Sequence, residues 1–270
     1  MNEPTMRETR LFVDAHVHFY DCFDPCAFFN SAYDNLSPSV EIDYEATTKV
    51  LLLTETSREN GFLRLLEASK NPAQAICTAD ESWYCHATAE PESVCLKTRS
   101  GKMLYAIAGR QIVASEGLEV HALATDESFE DGKPLLDLID EIRSSGGVAA
   151  MPWGTGKWLG RRGGVMKSMC SQFMQDGVLL SDSGIRPWVW PKSGLFSTGL
   201  RIIAGTDPLP LPAEARRTGS FGFSIVAQWD QNRPAYSMRT LLKNQELVMT
   251  GFGRSQGVWQ FLSRQIAIRT

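Results

Sequence analysis

"LFVDAHVHFYD" (11–21) opens with a short apolar run and closes with two histidines one residue apart, and its reading decides the fold. The run is rich in β-formers and brief, which predicts a strand. Similar runs recur as "KVLLLT" (49–54), "LEVHALAT" (118–125), "VAAMPW" (148–153), "VLLSDS" (178–183) and "RIIAGTD" (201–207). Helix-like stretches lie between them. "ENGFLRLLEASK" (59–70) is expected to pack through Phe62, Leu63, Leu66 and Ala68. "PLLDLIDEIRSSGG" (134–147) starts at proline and stops at glycine, and a further helix is expected over 165–175. This alternation implies parallel strands joined by helices, with runs such as "VLLL" and "RIIAG" covered on both faces.

Residues 76–113 break the rhythm. "ICTA", "SWYCHAT", "SVCLKT" and "MLYAIAGRQIV" follow one another as strands separated by turns, which predicts an inserted antiparallel β-meander. A strand near 222–228, a helix near 236–246 and a final amphipathic stretch form an expected C-terminal extension over 222–270. No linker interrupts the chain, so residues 1–270 read as one domain.

The composition is that of a globular protein: 270 residues, 43% hydrophobic, 21% charged, with a formal net charge of −4. Lys and Arg are dispersed, which argues against a nucleic-acid partner or a membrane surface. No apolar run reaches the roughly 18 residues a membrane helix needs, and the N-terminus "MNEPTMRETR" is polar. The expected location is the cytoplasm, with the six cysteines as reduced thiols. Cys22 and Cys26 have no second pair at zinc-ribbon spacing.

Polar residues gather where the proposed strands end: His16 and His18, then Thr54-Glu55-Thr56, Asp182-Ser183 and Thr206-Asp207. In a barrel of parallel strands these ends share one face. Residues two apart on a strand point to one side, so both imidazoles can approach one ion. Imidazole and carboxylate are ligands of zinc, manganese and iron. A bound ion of this kind lowers the pKa of its water to about 7. The opposing reading is structural histidines without an ion.

At these positions the chain resembles the PHP (polymerase and histidinol phosphatase) family of metal-dependent phosphoesterases, over most of residues 11–210. "VDAHVH" is similar to that family's opening histidine pair, and "LLLTETS" to its second strand. "IAGRQI" followed by "LEVHALAT" is similar to its next two. "EIRSSGGVAAMPWG" and "IIAGTDPLP" resemble its later helix–strand and closing motifs. The resemblance implies an α/β fold, a distorted TIM-like (β/α)7 barrel of PHP type carrying the meander as an insert. The wider amidohydrolase superfamily shares the opening pair and the closing aspartate.

Several family positions differ here. Glu55 stands for an aspartate, Thr56 for a histidine, Gln111 for a glutamate, and Trp153 and Pro208 for histidines. The candidate ligands that survive are His16, His18, His121 and Asp207, with Glu55 as a substitute. One divalent ion, at most two, or none, is what this set permits. His121 can equally be a hydrogen-bonded core residue, Glu55 a helix cap, and Asp207 a general base or helix cap. His86, in the meander, reads as structural.

"WGTGKWLGRRGG" (153–164) holds five glycines, Lys157, Arg161 and Arg162 and no acid. Such a loop either cradles an anion or is simply solvated. It is not a Walker loop, because tryptophan follows the lysine. Arg186 is expected at the same rim. Trp153, Trp158, Trp188 and Trp190 supply either an apolar wall or core packing.

The leading expectation is a metal-dependent hydrolase, a phosphoesterase on a small anionic substrate. His16, His18 and Asp207 would bind the ion, with Glu55 or His121, while Lys157, Arg161, Arg162, Arg186 and Trp153 would bind substrate. The alternatives are a catalytically inactive module that binds a ligand or protein, and a C–N hydrolase of amidohydrolase type.

Overall fold

A computed structural model describes residues 7–37, 47–79, 81–154, 156–189, 193–254, 257, 259 and 264. The opening apolar run becomes the long strand β1 (Arg7–Val17). Helix α1 (Pro25–Asn35) follows, with Asp24 as N-cap accepting from the Ala27 N–H at 2.7 Å. Strand β2 (Thr47–Leu53) then lies parallel to β1, and α2 (Gly61–Ser69) packs outside it. In α2 Phe62 packs inward with Leu65, and Leu66 and Ala68 are half-buried against the same cluster, whereas Leu63 is 55% exposed and is the one expected contact that the structure corrects.

Strands β3 (Ala75–Cys77), β4 (Trp83–Ala87), β5 (Ser93–Thr98) and β6 (Met103–Ile107) pair antiparallel in succession. β6 also pairs parallel with β2, so this run is the flank of a sheet rather than an insert in a barrel. One residue later β7 (Gly109–Val113) begins a second sheet with β8 (Glu119–Leu123). After α3 (Leu135–Ser144) come β9 (Val148–Pro152), α4 (Gly160–Ser168), α5 (Cys170–Asp176), β10 (Leu179–Ser183) and β11 (Ile202–Gly205). Strand β12 (Phe221–Trp229), α6 (Pro234–Lys243) and β13 (Thr250–Gly253) complete the described elements.

The expected TIM-like (β/α)7 barrel is not formed. The strands make an eight-stranded mixed sheet, β13-β12-β1-β2-β6-β5-β4-β3, and a five-stranded mixed sheet, β11-β10-β9-β8-β7. Among the described strands, β1–β2, β2–β6, β9–β10 and β10–β11 pair in parallel and the other pairs are antiparallel. The physical reason is partly a matter of reach. Residues 114–118 are too few for a crossover, which takes about a dozen residues, so β7 and β8 turn back as a hairpin. The C-terminal β12 runs antiparallel beside β1 over residues 7–13, inside the large sheet rather than appended to it.

The two sheets face each other across one core. Leu11, Val13, Val50 and Leu52 of the large sheet share it with Leu123, Ala150, Leu179 and Ile203 of the small one. Outside the large sheet, Phe12, Leu51 and Leu53 pack with Phe28, Phe29, Phe62 and Leu65 of α1 and α2. Outside the small sheet, Val120, Ala122, Met151 and Leu180 pack with Leu138, Ile142, Met166 and Phe173 of its helices. Burial on both faces explains the near-continuous apolar runs.

Cys26 and Cys77 are joined by a disulfide between α1 and β3, which corrects the expectation that all cysteines are thiols. Cys22, Cys85, Cys95 and Cys170 are free. Among the described residues no helix is long and apolar enough to cross a membrane.

Candidate metal centre

A bulge decides where the two histidines point. β1 and β2 pair in register as far as Asp14 opposite Leu51, then shift so that Val17 lies opposite Leu53. Before the shift, Val13 and Ala15 face the inner core and Phe12 the outer one. After it Val17 is in the outer core, so His16 and His18 are turned inward.

Asp207 comes to them from the other sheet. It follows β11 with φ of 52°, a left-handed conformation that aspartate tolerates better than most residues. Its N–H donates to His16 O at 2.8 Å, bridging the sheets at this seam. Gly205 permits the approach, because a Cβ there would stand 2.1 Å from the His16 nitrogen. Ser183 Oγ donates to Asp207 Oδ2 at 2.9 Å.

The Nε2 atoms of His16 and His18 are 3.2 Å apart, and Asp207 Oδ1 lies 3.3 Å and 3.9 Å from them. Ligand atoms about 2.0–2.1 Å from a tetrahedral ion stand about 3.3 Å from one another. The buried His16–His18–Asp207 group can therefore hold a metal ion. Burial pushes the pKa of His16 and of His18 down to about 3, which keeps both rings neutral as ligation requires. Burial raises the Asp207 pKa, opposed first by the neighbouring His18 and then by the Ser183 bond. Among the described residues the Nδ1 atoms of these two histidines and of His121 meet no hydrogen-bond partner. The rings are instead oriented by packing, His16 edge-on against His121 at 4.2 Å and His18 stacked on Tyr20 at 5.2 Å.

Behind the trio lies Asp14, fully buried. It accepts from the His16 N–H at 3.2 Å, the Thr206 N–H at 2.8 Å, Thr206 Oγ1 at 2.5 Å and the Gly219 N–H at 2.8 Å. Burial outweighs these donors and lifts its pKa to about 6. Sequence reasoning left Asp14 without a role, although a charged residue inside an apolar strand was the available signal.

The remaining expected ligands are not part of this group. Glu55 is a helix cap: its carboxylate accepts from the Gly61 N–H at 2.7 Å and the Phe62 N–H at 2.9 Å at the start of α2. Burial lifts its pKa to about 7. His121 stands outside the trio, its Nε2 paired with Gln111 Oε1 at 3.1 Å across the β7–β8 ladder. Burial holds its pKa well below the ordinary histidine value.

The expected anion-binding set also separates. Residues from Gly160 onward are not a loop but α4, where Arg161 is exposed. Arg162 donates to the carbonyls of Gly117 and Gly156. Arg186 is buried in a two-bond fork with Asp182, at 3.0 Å and 2.9 Å. Trp153 packs in the outer core with Trp158 and Phe173, away from the histidines, and Trp190 lies outside the described residues. Lys157 remains at the site, paired with Glu119. Glu119 and Tyr20 are site residues that sequence reasoning missed; Glu119 was accessible through its period-two relation to His121.

The titrations predict an acid limit to stability in chelator-treated protein. Unfolded, His16, His18 and His121 bind protons below their ordinary value of 6.5, while in the fold burial keeps His16 and His18 neutral to about 3 and holds His121 well below its ordinary value. Asp14 and Glu55 act in the opposite sense, holding protons in the fold up to about 6 and about 7, against 3.8 and 4.5 when free. Asp207 adds to that side. Between roughly pH 4.5 and 6 the carboxyls offset only part of the histidine effect, so the unfolded chain binds more protons and stability is expected to fall gently as pH falls. Below about pH 4 the unfolded carboxylates protonate as well, so the unfolded chain alone gains protons and stability falls steeply. Urea midpoints measured from pH 3 to 7 check this; a midpoint that stays constant down to pH 3 would contradict it.

No protein-family model matches the chain, and no curated protein matches it. Among solved structures it is similar to that titled "Crystal Structure of PsfC from Pseudomonas syringae PB-5123". The TM-score is 0.58 at 12% identity, over 96% of this chain and 98% of that one. A likeness at that identity shows a shared fold and says nothing of shared chemistry.

Proposed function

We propose that this chain is a metal-dependent hydrolase acting on a small anionic substrate. The observation that carries the reading is the spacing of His16 Nε2, His18 Nε2 and Asp207 Oδ1, at 3.2, 3.3 and 3.9 Å, with burial that keeps both imidazoles neutral. A divalent ion held by these three would supply Lewis acidity and a water of lowered pKa. His16 and His18 would orient through their packing on His121 and Tyr20, and Ser183 would hold the second oxygen of Asp207 in place. Lys157 is the cation whose charge reaches His16, His18, His121 and Asp207, which fits an anionic group on the substrate.

The engagement of Arg162 and Arg186 with other partners favours a second reading, a module that binds a ligand at this site without turning it over. One experiment separates them. Protein purified without added ions is analysed for zinc, manganese and iron, then loaded with each and tested on phosphomonoesters and amides. The hydrolase reading expects a near-stoichiometric ion and turnover of one substrate class that ceases on chelation. Bound metal without turnover favours the binding module, and the absence of metal uptake sinks the proposal.

A further inference from the structure

A cleft at the other end of the small sheet belongs to no site described above. Strands β9, β10 and β11 run parallel, so their first residues share the end opposite to Ser183 and Asp207. Val148 opens β9, Leu179 opens β10 and Arg201 precedes β11, and all three line the cleft. The last turns of α3, α5 and α6 close around it. Arg201 and Asp207 flank β11 on opposite sides, which sets the cleft roughly 15–20 Å of extended chain away from the trio. Its volume is about 670 Å3, within the roughly 300–1,000 Å3 of small-molecule pockets.

The charge in the cleft is one-sided. Arg143, Arg201 and Lys243 line it, and Asp176 is the one acid among the described lining residues. Arg143 takes that acid, Nη1 to Oδ1 at 2.9 Å. The other two cations meet carbonyls instead. Arg201 Nη1 donates to Leu242 O at 2.6 Å, and Lys243 Nζ to Gly146 O at 2.8 Å. Basic side chains commonly cap helix ends in this way, and a cap accounts for one donor on each. It does not account for Arg201 Nη2, which is buried and has no hydrogen-bond partner among the described residues. A buried donor left unmatched is costly, more so on a charged group. Burial lowers the Arg201 pKa with no acid opposing it, and at Lys243 the charges of Arg239 and Arg143 add to burial. Among the described residues, two positive charges thus share one cavity without a counter-charge.

We propose that this cleft is a second ligand site, which takes a small organic molecule carrying a dianionic oxygen group of the phosphate-monoester type. The Arg201 guanidinium and the Lys243 ammonium hold the oxyanion through charge-assisted bonds, which gives Arg201 the acceptor it lacks. Two uncommitted charges match a dianion better than a single carboxylate. Phe173, Met174 and Leu200 supply the apolar wall for the organic part. The separation from the trio means that this ligand is not the trio's substrate, and the inference needs no ion there.

The test uses the full chain, stripped of metal ions and dialysed free of chelator, with phenyl phosphate and inorganic phosphate as probes in isothermal titration calorimetry. Wild type is expected to bind phenyl phosphate at one site, about fivefold more tightly than inorganic phosphate because the ring leaves water. K243M, a change at an exposed position, is expected to weaken phenyl phosphate at least tenfold, and R201M more than that, with R201K between R201M and wild type. The His16→Ala/His18→Ala protein is expected to bind it as wild type does. Circular dichroism confirms that each variant is folded. Binding that survives both K243M and R201M, or that disappears with the two histidines, overturns the site. So does a wild-type chain that takes up no phenyl phosphate at millimolar concentration. Inorganic phosphate binding as tightly as phenyl phosphate overturns the assignment of an organic ligand.

Discussion

The double substitution His16→Ala/His18→Ala is expected to abolish stoichiometric uptake of divalent ions, lowering affinity by at least a hundredfold, while the protein stays folded. Two of three ligand atoms disappear, and one buried carboxylate does not hold a transition metal against water. The fold should tolerate the change because, among the described residues, the polar contacts of the two rings run to one another, to Asp207 and, from His16, to Gln111, which His121 also holds. Removing them also removes two groups that must stay neutral in a buried place, so the acid sensitivity described above should shrink. Cobalt loading gives a direct reading, through the visible absorption of a tetrahedral site in wild type and its loss in the variant. Undiminished binding would show that the ion sits elsewhere.

Asp14→Ala is expected to be among the most destabilising single substitutions in the chain. Its carboxylate gathers four donors from three segments: His16 on β1, Thr206 beyond β11, and Gly219 ahead of β12. Alanine leaves these buried groups without an acceptor, at a cost of roughly 3–5 kcal/mol in total. The same substitution should loosen the metal centre, since Thr206 immediately precedes Asp207 and His16 is itself a donor to Asp14. Asp14→Asn keeps one acceptor oxygen and should fall between wild type and alanine. Urea unfolding measures the first effect and metal titration the second. An Asp14→Ala protein of unchanged stability would mean that water readily replaces the carboxylate at the seam.

These two predictions rest on information of different kinds. His16, His18 and Asp207 were legible because polar residues interrupting apolar runs stand out, and because imidazole and carboxylate name their own chemistry. Asp14 sits in the same run as the histidines, yet its partners lie about 190 and 205 residues away, and nothing local announces them. Glu55 shows the converse. A carboxylate after a strand and before a helix suits a ligand or a cap equally, and only the position of the Gly61 and Phe62 N–H groups selects the cap. The basic loop misled for a related reason. Its charges were visible, but whether each one faces a ligand depends on what else lies within reach, and Asp182 and two backbone carbonyls claim Arg186 and Arg162 first.

By itself the sequence determined most of the strands, the helices α2, α3 and α6, which runs are covered on both faces, and which side chains have the chemistry to hold an ion. Those properties follow from hydrophobic periodicity and the acid–base character of single residues. The tertiary structure alone decided that the strands split into two mixed sheets instead of closing a barrel, and that a bulge after Asp14 turns the histidines toward Asp207. Strand direction and register depend on connection length and on pairing between distant segments, so a one-residue shift with no local signature reverses the face on which a side chain lies.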